Sequence, residues 1–149
     1  MTEFKRYNRL INVFGKACRG KTSTLDCLIK KLISNPDFTL LSPDSGKDIN
    51  DRIIGRLNNQ VIGIITLGDP GQEEEIESFL DECLTNKCDV IYAASRTYGG
   101  VYNTEKRFAS ANGYLFIETS PLYLNLDNGK EINYSYFHEL FSEMLYNLI

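Results

Sequence analysis

The chain has 149 residues, of which 42% are hydrophobic and 24% are charged, so it fits one globular domain with a single core. It contains no run of 18 or more apolar residues, which argues against a transmembrane helix, and its N-terminus does not resemble a signal peptide. The net charge of −4 argues against general nucleic-acid binding. The four cysteines lack zinc-type spacing, and the chain is expected to be cytoplasmic, so we expect free thiols.

The basic residues are concentrated near the start of the chain. Residues 1–36 carry eight Lys or Arg and two acidic residues, a net charge of +6, and the remainder carries −10. An apolar run, Leu10–Phe14, is typical of a buried strand, and apolar positions recur at helical spacing over residues 25–33. Between them the pattern G-x-x-x-x-G-K-[ST] is matched in full by Gly15, Lys16, Ala17, Cys18, Arg19, Gly20, Lys21 and Thr22.

This pattern has a physical basis in phosphate binding. Its glycines let successive backbone N–H groups point into one concavity, and the start of the following helix adds a partial positive charge. Lys21 is expected to reach the β- and γ-phosphates, the Thr22 hydroxyl to bind Mg²⁺, and Ser23 to complete the predicted contacts. A glycine-rich turn that matches by chance is the alternative, and the predicted strand and helix on either side disfavour it.

From Gly15 to Thr22 the sequence resembles the P-loop NTPase superfamily. The order of predicted elements is strand, helix, hairpin, helix, strand, helix, strand, helix, which is similar to small Ras-like P-loop domains. The chain is also similar to small ATP-binding P-loop proteins of bacteria and phages, which end a strand with an Arg-Thr-x-Gly run. We therefore expect one three-layer α/β domain over residues 1–149, with a mainly parallel sheet and one antiparallel edge strand from the hairpin.

The predicted hairpin leads to a candidate metal ligand. Two β-rich runs, residues 48–57 and 60–67, flank Asn58 and Asn59, which suit a tight turn because asparagine tolerates positive φ. A carboxylate at the end of a central strand beside the phosphate loop is the usual second Mg²⁺ anchor, so Asp69 is predicted to bind the metal with Thr22. The alternative is a simple turn aspartate before proline.

A partial resemblance to Ras-like GTPases follows Asp69. Residues 71–74 match the last four letters of their D-x-x-G-Q-E-E run, but Gly68 stands where that run has its aspartate. The resemblance implies that Gln72 orients the attacking water. The alternative is that these residues form an acidic first helical turn, which the helix dipole favours.

The segment before the hairpin, residues 36–48, occupies the place of a mobile switch loop. Thr39, Ser42 and Ser45 are its candidates for contact with the γ-phosphate or Mg²⁺, and the sequence does not choose among them. A plain connecting loop is equally compatible with its two prolines and low hydrophobicity.

Two short sequence matches concern guanine recognition. Asn86–Asp89 spells N-K-x-D, but a predicted helix runs into it and the strand of residues 89–95 follows it, which puts it at the sheet edge opposite the nucleotide. Residues 118–120 resemble the E-T-S-A-K loop, but Pro121 follows them and has no N–H to donate to a base. Guanine specificity is therefore not supported, although a divergent Ras-like GTPase stays among the alternatives.

The end of the strand at residues 89–95 is where base or substrate choice is expected. Ser95 and Arg96 stand at the edge where ligands bind in open α/β sheets. Arg96 is predicted to stack on a base or to pair with phosphate as an internal arginine finger. Tyr98 and Tyr102 are candidates for stacking, and a solvated arginine on a glycine-containing loop is the alternative.

The function predicted from these residues is Mg²⁺-dependent binding and hydrolysis of ATP or another nucleoside triphosphate. Its catalytic residues are expected to be Lys21, Gln72 and Arg96. A small-molecule or nucleotide kinase is an alternative, disfavoured because no long arginine-rich insertion is present to cover a substrate. A nucleotide-dependent interaction module with a protein partner is another. The single histidine, His138, is predicted to be a surface residue of an amphipathic C-terminal helix.

Overall fold

The described part of the protein, in a computed structural model, comprises residues 7–15, 20–44, 50–121 and 134–149. It contains six strands and four helices. In chain order these are β1 (Arg9–Phe14), α1 (Lys21–Ser34), β2 (Phe38–Ser42), β3 (Arg52–Leu57), β4 (Gln60–Ile65), α2 (Glu73–Thr85), β5 (Val90–Ser95), α3 (Gly100–Asn112), β6 (Leu115–Thr119) and α4 (Tyr134–Tyr146).

The six described strands form one mixed sheet in the order β2-β3-β4-β5-β1-β6. β1 pairs in parallel with β5 and β6, and β4 pairs in parallel with β5. β3 is antiparallel to both of its neighbours, β2 and β4, so it alone among these strands runs in the opposite direction. The predicted α/β class with a mixed, mainly parallel sheet is therefore confirmed.

The hairpin forms as predicted, but it does not supply the edge strand. Leu57 pairs with Gln60 across a two-residue turn that begins at Asn58, whose φ is 56°. β2 pairs antiparallel with β3 on the outside, so the expectation that the hairpin supplies the antiparallel edge strand is wrong. The sequence predicted a loop here because the segment has low hydrophobicity and contains two prolines, and the strand that forms between them has only five residues.

Each face of the sheet is covered by a pair of helices. On one face the apolar side chains come from α1 and α4, namely Leu25, Leu28, Ile29, Leu32, Phe141 and Leu145. On the other they come from α2 and α3, namely Ile76, Phe79, Leu80, Cys83, Val101 and Ala109. Residues of β1 and β5 alternate between these two clusters, as expected for strands buried from both sides.

The strand directions bring three connections to one edge of the sheet. β1, β4 and β5 run the same way, so the connections that follow them all start at their carboxyl ends. The connection after β1 leads into α1, the one after β4 contains Asp69, and the one after β5 contains Arg96. β5 lies between β1 and β4, so the strand before Asp69 is not a direct neighbour of β1. This edge is where ligands usually bind in open α/β sheets.

Two of the three predicted switch-loop hydroxyls lie far from that point. Thr39 and Ser42 belong to β2, which three strands separate from β1, or about 19 Å at the usual strand spacing. The Ser42 hydroxyl donates a hydrogen bond of 2.7 Å to Glu82 Oε1 on α2. Their predicted position beside the phosphate loop is therefore wrong, and Ser45 lies outside the described residues.

The N-K-x-D tetrapeptide occupies the predicted helix-to-strand connection. α2 ends at Thr85 and β5 begins at Val90, which puts residues 86–89 at the amino end of β5. Asp89 Oδ2 accepts a hydrogen bond of 2.8 Å from the Val61 N–H at the start of β4. The carboxylate that would bind guanine in a GTPase therefore links β4 to the residue before β5. This contact lies at the amino ends of the two strands, opposite the carboxyl ends where ligands usually bind.

Candidate functional site

Lys21 joins the ends of β1 and β5. Its Nζ donates hydrogen bonds to the Gly15 carbonyl oxygen at 2.6 Å and to the Ser95 carbonyl oxygen at 2.9 Å. The Gly15 N–H donates to the same Ser95 oxygen at 3.1 Å. With only 7% of its surface exposed, Lys21 is held at the base of the loop predicted to bind phosphate.

The start of α1 requires a glycine at position 20. Gly20 has a φ of 81°, in the left-handed region, and its carbonyl oxygen accepts from the Thr24 N–H at 2.9 Å. A Cβ atom at this position would lie 2.3 Å from Nε2 of His138, on α4. His138 is half-buried at this point, so it packs near Gly20 while part of its surface stays exposed.

A small cleft gathers four of the predicted site residues. Its volume is about 70 Å³, and its lining includes Lys21, Thr22, Asp69 and Gln72. The remaining lining residues are Thr66, Leu67, Gly68 and Ala94, from the ends of β4 and β5. The Thr22 hydroxyl lies 3.4 Å from the Thr66 carbonyl oxygen. The lysine and both predicted metal ligands thus border one space.

Gly68 allows the turn after β4 to approach β5 closely. A Cβ atom there would come within 2.5 Å of the Ala94 carbonyl carbon and oxygen. A side chain therefore does not fit at the position where the Ras-like run has its aspartate. The carboxylate at the end of β4 is instead that of Asp69, and the close approach sets it beside the end of β5.

The Gln72 side chain holds the turn that carries Asp69. Its Oε1 accepts hydrogen bonds from the Gly68 N–H at 2.9 Å and from the Asp69 N–H at 2.8 Å. The Gln72 N–H in turn donates to the Asp69 carbonyl oxygen at 3.2 Å. In this arrangement the amide oxygen of Gln72 faces the backbone, and the side chain acts on the position of Asp69.

Arg96 contacts Asp69 beside the cleft and is not among the residues that line it. Its Nε lies 3.5 Å from Asp69 Oδ1, and 36% of the Arg96 side chain and 64% of the Asp69 side chain are exposed. The two tyrosines nearby differ from each other. Tyr98 is 82% exposed, whereas the Tyr102 hydroxyl donates to Glu118 on β6. Tyr98 is exposed and Tyr102 is half-buried, so Tyr98 offers more ring surface for stacking.

A buried polar chain lies behind the cleft, and the sequence pattern did not predict it. Asn12 Nδ2 donates to Glu105 Oε1 at 2.7 Å and to Ser95 Oγ at 2.9 Å, and Ser95 Oγ donates to the Arg96 carbonyl oxygen at 2.8 Å. Asn12, Ser95 and Glu105 are each 0% exposed. Two signals point to it: a polar residue within the apolar run of β1, and an acidic residue on the buried Val101–Ala109 stripe of α3.

Burial changes the charge balance of this region. It lowers the pKa of Lys21, and the nearby charge of Arg96 lowers it further, whereas Asp69 and Glu105 act in the opposite direction. Burial also raises the pKa of the Glu105 carboxyl well above its usual range. The hydrogen bond from Asn12 and the charge of Lys21 oppose that rise without cancelling it.

The rest of the predicted phosphate contacts divide into two groups. Lys16, Ala17, Cys18 and Arg19 lie outside the described residues. Ser23 is exposed in the first turn of α1. A larger cavity of about 670 Å³ lies between α1 and α4, but it shares no lining residue with the cleft. We regard the smaller cleft as the candidate site because it contains the convergent lysine, hydroxyl and carboxylate.

The donor set at the cleft fits Mg²⁺ better than a metal held by protein ligands alone. Within the described residues, no group of three or more His, Cys, Asp and Glu is arranged to hold a metal ion. Mg²⁺ is usually bound by one or two carboxylates together with substrate phosphates and water, and Thr22 and Asp69 are appropriate protein partners for that arrangement.

Comparison of the chain with protein-family models, with curated proteins and with solved structures gives no match in any of the three. In the part of the chain that the structure describes, no helix has both the length and the apolar character needed to cross a bilayer. A functional proposal for this protein therefore depends on the residues of the cleft and their geometry.

Proposed function

We propose that this chain is a P-loop domain, with a three-layer fold, that binds a nucleoside triphosphate together with Mg²⁺ and hydrolyses it. ATP is the expected nucleotide. The observation that carries the proposal is the cleft at the carboxyl edge of the sheet, which Lys21, Thr22 and Asp69 line together. The match to the phosphate-loop pattern over residues 15–22, between a strand and a helix, supports the same conclusion.

Lys21 is the proposed ligand of the β- and γ-phosphates. Its ammonium group is held by the carbonyl oxygens of Gly15 and Ser95, which are neutral acceptors. A triphosphate offers charged oxygens instead, and charge-assisted hydrogen bonds are about twice as strong as neutral ones. The N-terminus of α1 begins at the same residue, so its free N–H groups add to the attraction for phosphate.

Thr22 and Asp69 are the proposed protein partners of Mg²⁺. The Thr22 hydroxyl stands at the start of α1, and the Asp69 carboxylate borders the same cleft from the turn after β4. Bound Mg²⁺ would neutralise charge on the β- and γ-phosphate oxygens. Gln72 supports this arrangement because its amide oxygen holds the backbone of the turn.

Arg96 is the proposed source of positive charge for the transition state. Its guanidinium group contacts Asp69, a residue that lines the cleft, and is partly exposed. An arginine placed beside the transferred phosphoryl group stabilises the charge that spreads over its oxygens. Water positioning by Gln72 is a secondary proposal, since its oxygen is engaged with the backbone and only its amide nitrogen is left for the water.

Phosphate release by the purified protein tests this function. The protein is incubated with Mg²⁺ and each of ATP, GTP, CTP and UTP in turn, and both released phosphate and retained nucleotide are measured. We expect Mg²⁺-dependent release that Lys21→Ala abolishes and that Lys30→Ala, an exposed lysine of the same helix, leaves unchanged. Retention without release would indicate an interaction module, and transfer only to an added acceptor would indicate a kinase. Failure to retain any of the four nucleotides would contradict the proposal.

A further inference from the structure

Glu105 is a buried acid without a cationic partner in direct contact. It is 0% exposed, and Asn12 Nδ2 donates to its Oε1 at 2.7 Å. Among the described residues, its Oε2 has no hydrogen-bond partner and its carboxylate forms no ion pair. An ionised carboxylate in such a place costs several kcal/mol, so the neutral form is favoured.

Hydrogen bonds connect this acid to both arms of the candidate site. Asn12 links Glu105 to the Ser95 hydroxyl, and that hydroxyl donates to the Arg96 carbonyl oxygen. The carbonyl oxygen of Ser95 accepts from Lys21 Nζ. One buried chain therefore reaches from α3, through β1, to the residue that holds Lys21 and the residue that follows it, Arg96.

We propose that Glu105 is a positioning residue of the phosphate site. As a neutral acid it holds the Asn12 side chain and, through Ser95, fixes the backbone at Arg96 and the carbonyl oxygen that accepts from Lys21. The inference rests on the proposed function, because its consequence is a triphosphate site that works only while Glu105 is protonated. An ionised Glu105 would attract Lys21 from behind and repel the triphosphate, which carries charge of the same sign. The effect of burial on the pKa of Glu105 agrees with this direction.

Glu105 is the titratable member of this chain of hydrogen bonds, because the other side chains in it are uncharged. These are Asn12 on β1 and Ser95 on β5, and the charged residue that acts on Glu105 is Lys21 on α1. On β6, Glu118 accepts from Tyr102 at the surface. On α2, the Glu73 carboxylate lies against Gly100, at the start of α3.

Nucleotide affinity measured against pH tests the inference. A fluorescent methylanthraniloyl derivative of ATP is titrated with Mg²⁺ into wild type, Glu105→Gln and the exposed control Glu77→Gln, from about pH 6 to about pH 9. Glutamine keeps the acceptor for Asn12 and cannot ionise. We expect wild type and Glu77→Gln to lose affinity relative to Glu105→Gln by at least about tenfold as Glu105 ionises. Because the ligand titrates identically in all three proteins, a wild-type to Glu105→Gln affinity ratio that stays constant with pH would overturn the inference.

A second variant decides the matter if Glu105→Gln does not fold, as judged by circular dichroism. Ser95→Ala removes the hydroxyl between Asn12 and the Arg96 carbonyl and leaves Glu105 in place. We expect it to lower kcat at least about tenfold with a smaller change in Kd, and a wild-type kcat would overturn the positioning role. A wild type that binds no nucleotide at any pH would contradict the proposed function and the inference together, whereas binding with a constant affinity ratio contradicts the inference alone.

Discussion

The Arg96 guanidinium and the Asp69 carboxylate meet across the candidate site, with Nε 3.5 Å from Oδ1. Both side chains are partly exposed, so the pair contributes at most about 1 kcal/mol to the free energy of unfolding. A weak ion pair at this place is easily exchanged for stronger partners. We expect Mg²⁺ to bind the Asp69 carboxylate and the triphosphate to bind the Arg96 guanidinium. Asp69 and Arg96 can therefore be tested separately.

Asp69→Asn tests the metal site. The substitution keeps the size of the side chain and removes the charge that attracts Mg²⁺. We expect Mg²⁺ to strengthen ATP binding in wild type and in the exposed control Asp81→Asn, and the Mg²⁺ concentration for half-maximal effect to rise at least about tenfold in Asp69→Asn. An unchanged Mg²⁺ dependence in Asp69→Asn would show that Asp69 is only a turn residue.

Arg96→Ala tests the stabilisation of transition-state charge. We expect kcat for ATP hydrolysis to fall about 10²- to 10³-fold, as on loss of one preorganised donor, while Kd for ATP changes much less. Arg107→Ala, which removes an exposed arginine of α3, is the matched control and should hydrolyse ATP as wild type does. Equal losses of affinity and of kcat/KM in Arg96→Ala would instead mean that Arg96 only binds substrate.

Gln72 is tested by comparing alanine with glutamate. Gln72→Ala removes the acceptor of two backbone N–H groups, so we expect the free energy of unfolding to fall by about 1–2 kcal/mol and Mg²⁺ binding to weaken. Gln72→Glu keeps an acceptor oxygen and should stay close to wild type in urea unfolding. If both variants unfold like wild type but lose hydrolysis equally, the side chain orients water and does not hold the turn.

The sequence predicts those parts of the site whose residues lie close together along the chain, and it does not predict contacts between residues far apart in sequence. Lys21 and Thr22 follow from a contiguous pattern whose chemistry requires them at fixed spacing, and the structure puts both at one cleft. The contact between Asn12 and Glu105 joins residues 93 positions apart, and a single buried polar residue in a strand or helix does not indicate its partner. Long-range packing decides such contacts, and periodicity does not record it.

The same distinction applies to the fold. The hairpin from β3 to β4 was predictable because Asn58 supplies the positive φ that a two-residue turn requires. β2 was missed because pairing with β3 stabilises it, and the apolar and polar residues of its five-residue sequence do not alternate strictly. The position of β5 between β1 and β4 likewise depends on sheet pairing, which the order of elements along the chain leaves open.

Stability measured against pH tests the protonation of Glu105 without any nucleotide. Because the pKa of Glu105 is raised in the folded protein, the folded state holds its proton at pH values where the unfolded chain has released it. This stabilisation is complete below the unfolded pKa of about 4.3 and is lost as pH rises toward the folded pKa, by about 1.4 kcal/mol per pH unit.

Glu105→Gln lacks this dependence, so we expect wild type to lose stability relative to it with increasing pH in urea unfolding. Glu77→Gln, the same substitution at an exposed position, is the matched control and should follow wild type. A constant difference between wild type and Glu105→Gln would mean that Glu105 is already ionised when folded.

Equilibrium binding of ATP in the presence of Mg²⁺ tests the central claim most directly. The account predicts that wild type and Lys30→Ala bind the nucleotide with equal affinity, and that Lys21→Ala, shown by circular dichroism to be folded, loses at least about tenfold in affinity because the phosphate oxygens lose a charge-assisted donor. Equal affinity in wild type and Lys21→Ala, or no binding of any nucleoside triphosphate by wild type, would contradict it.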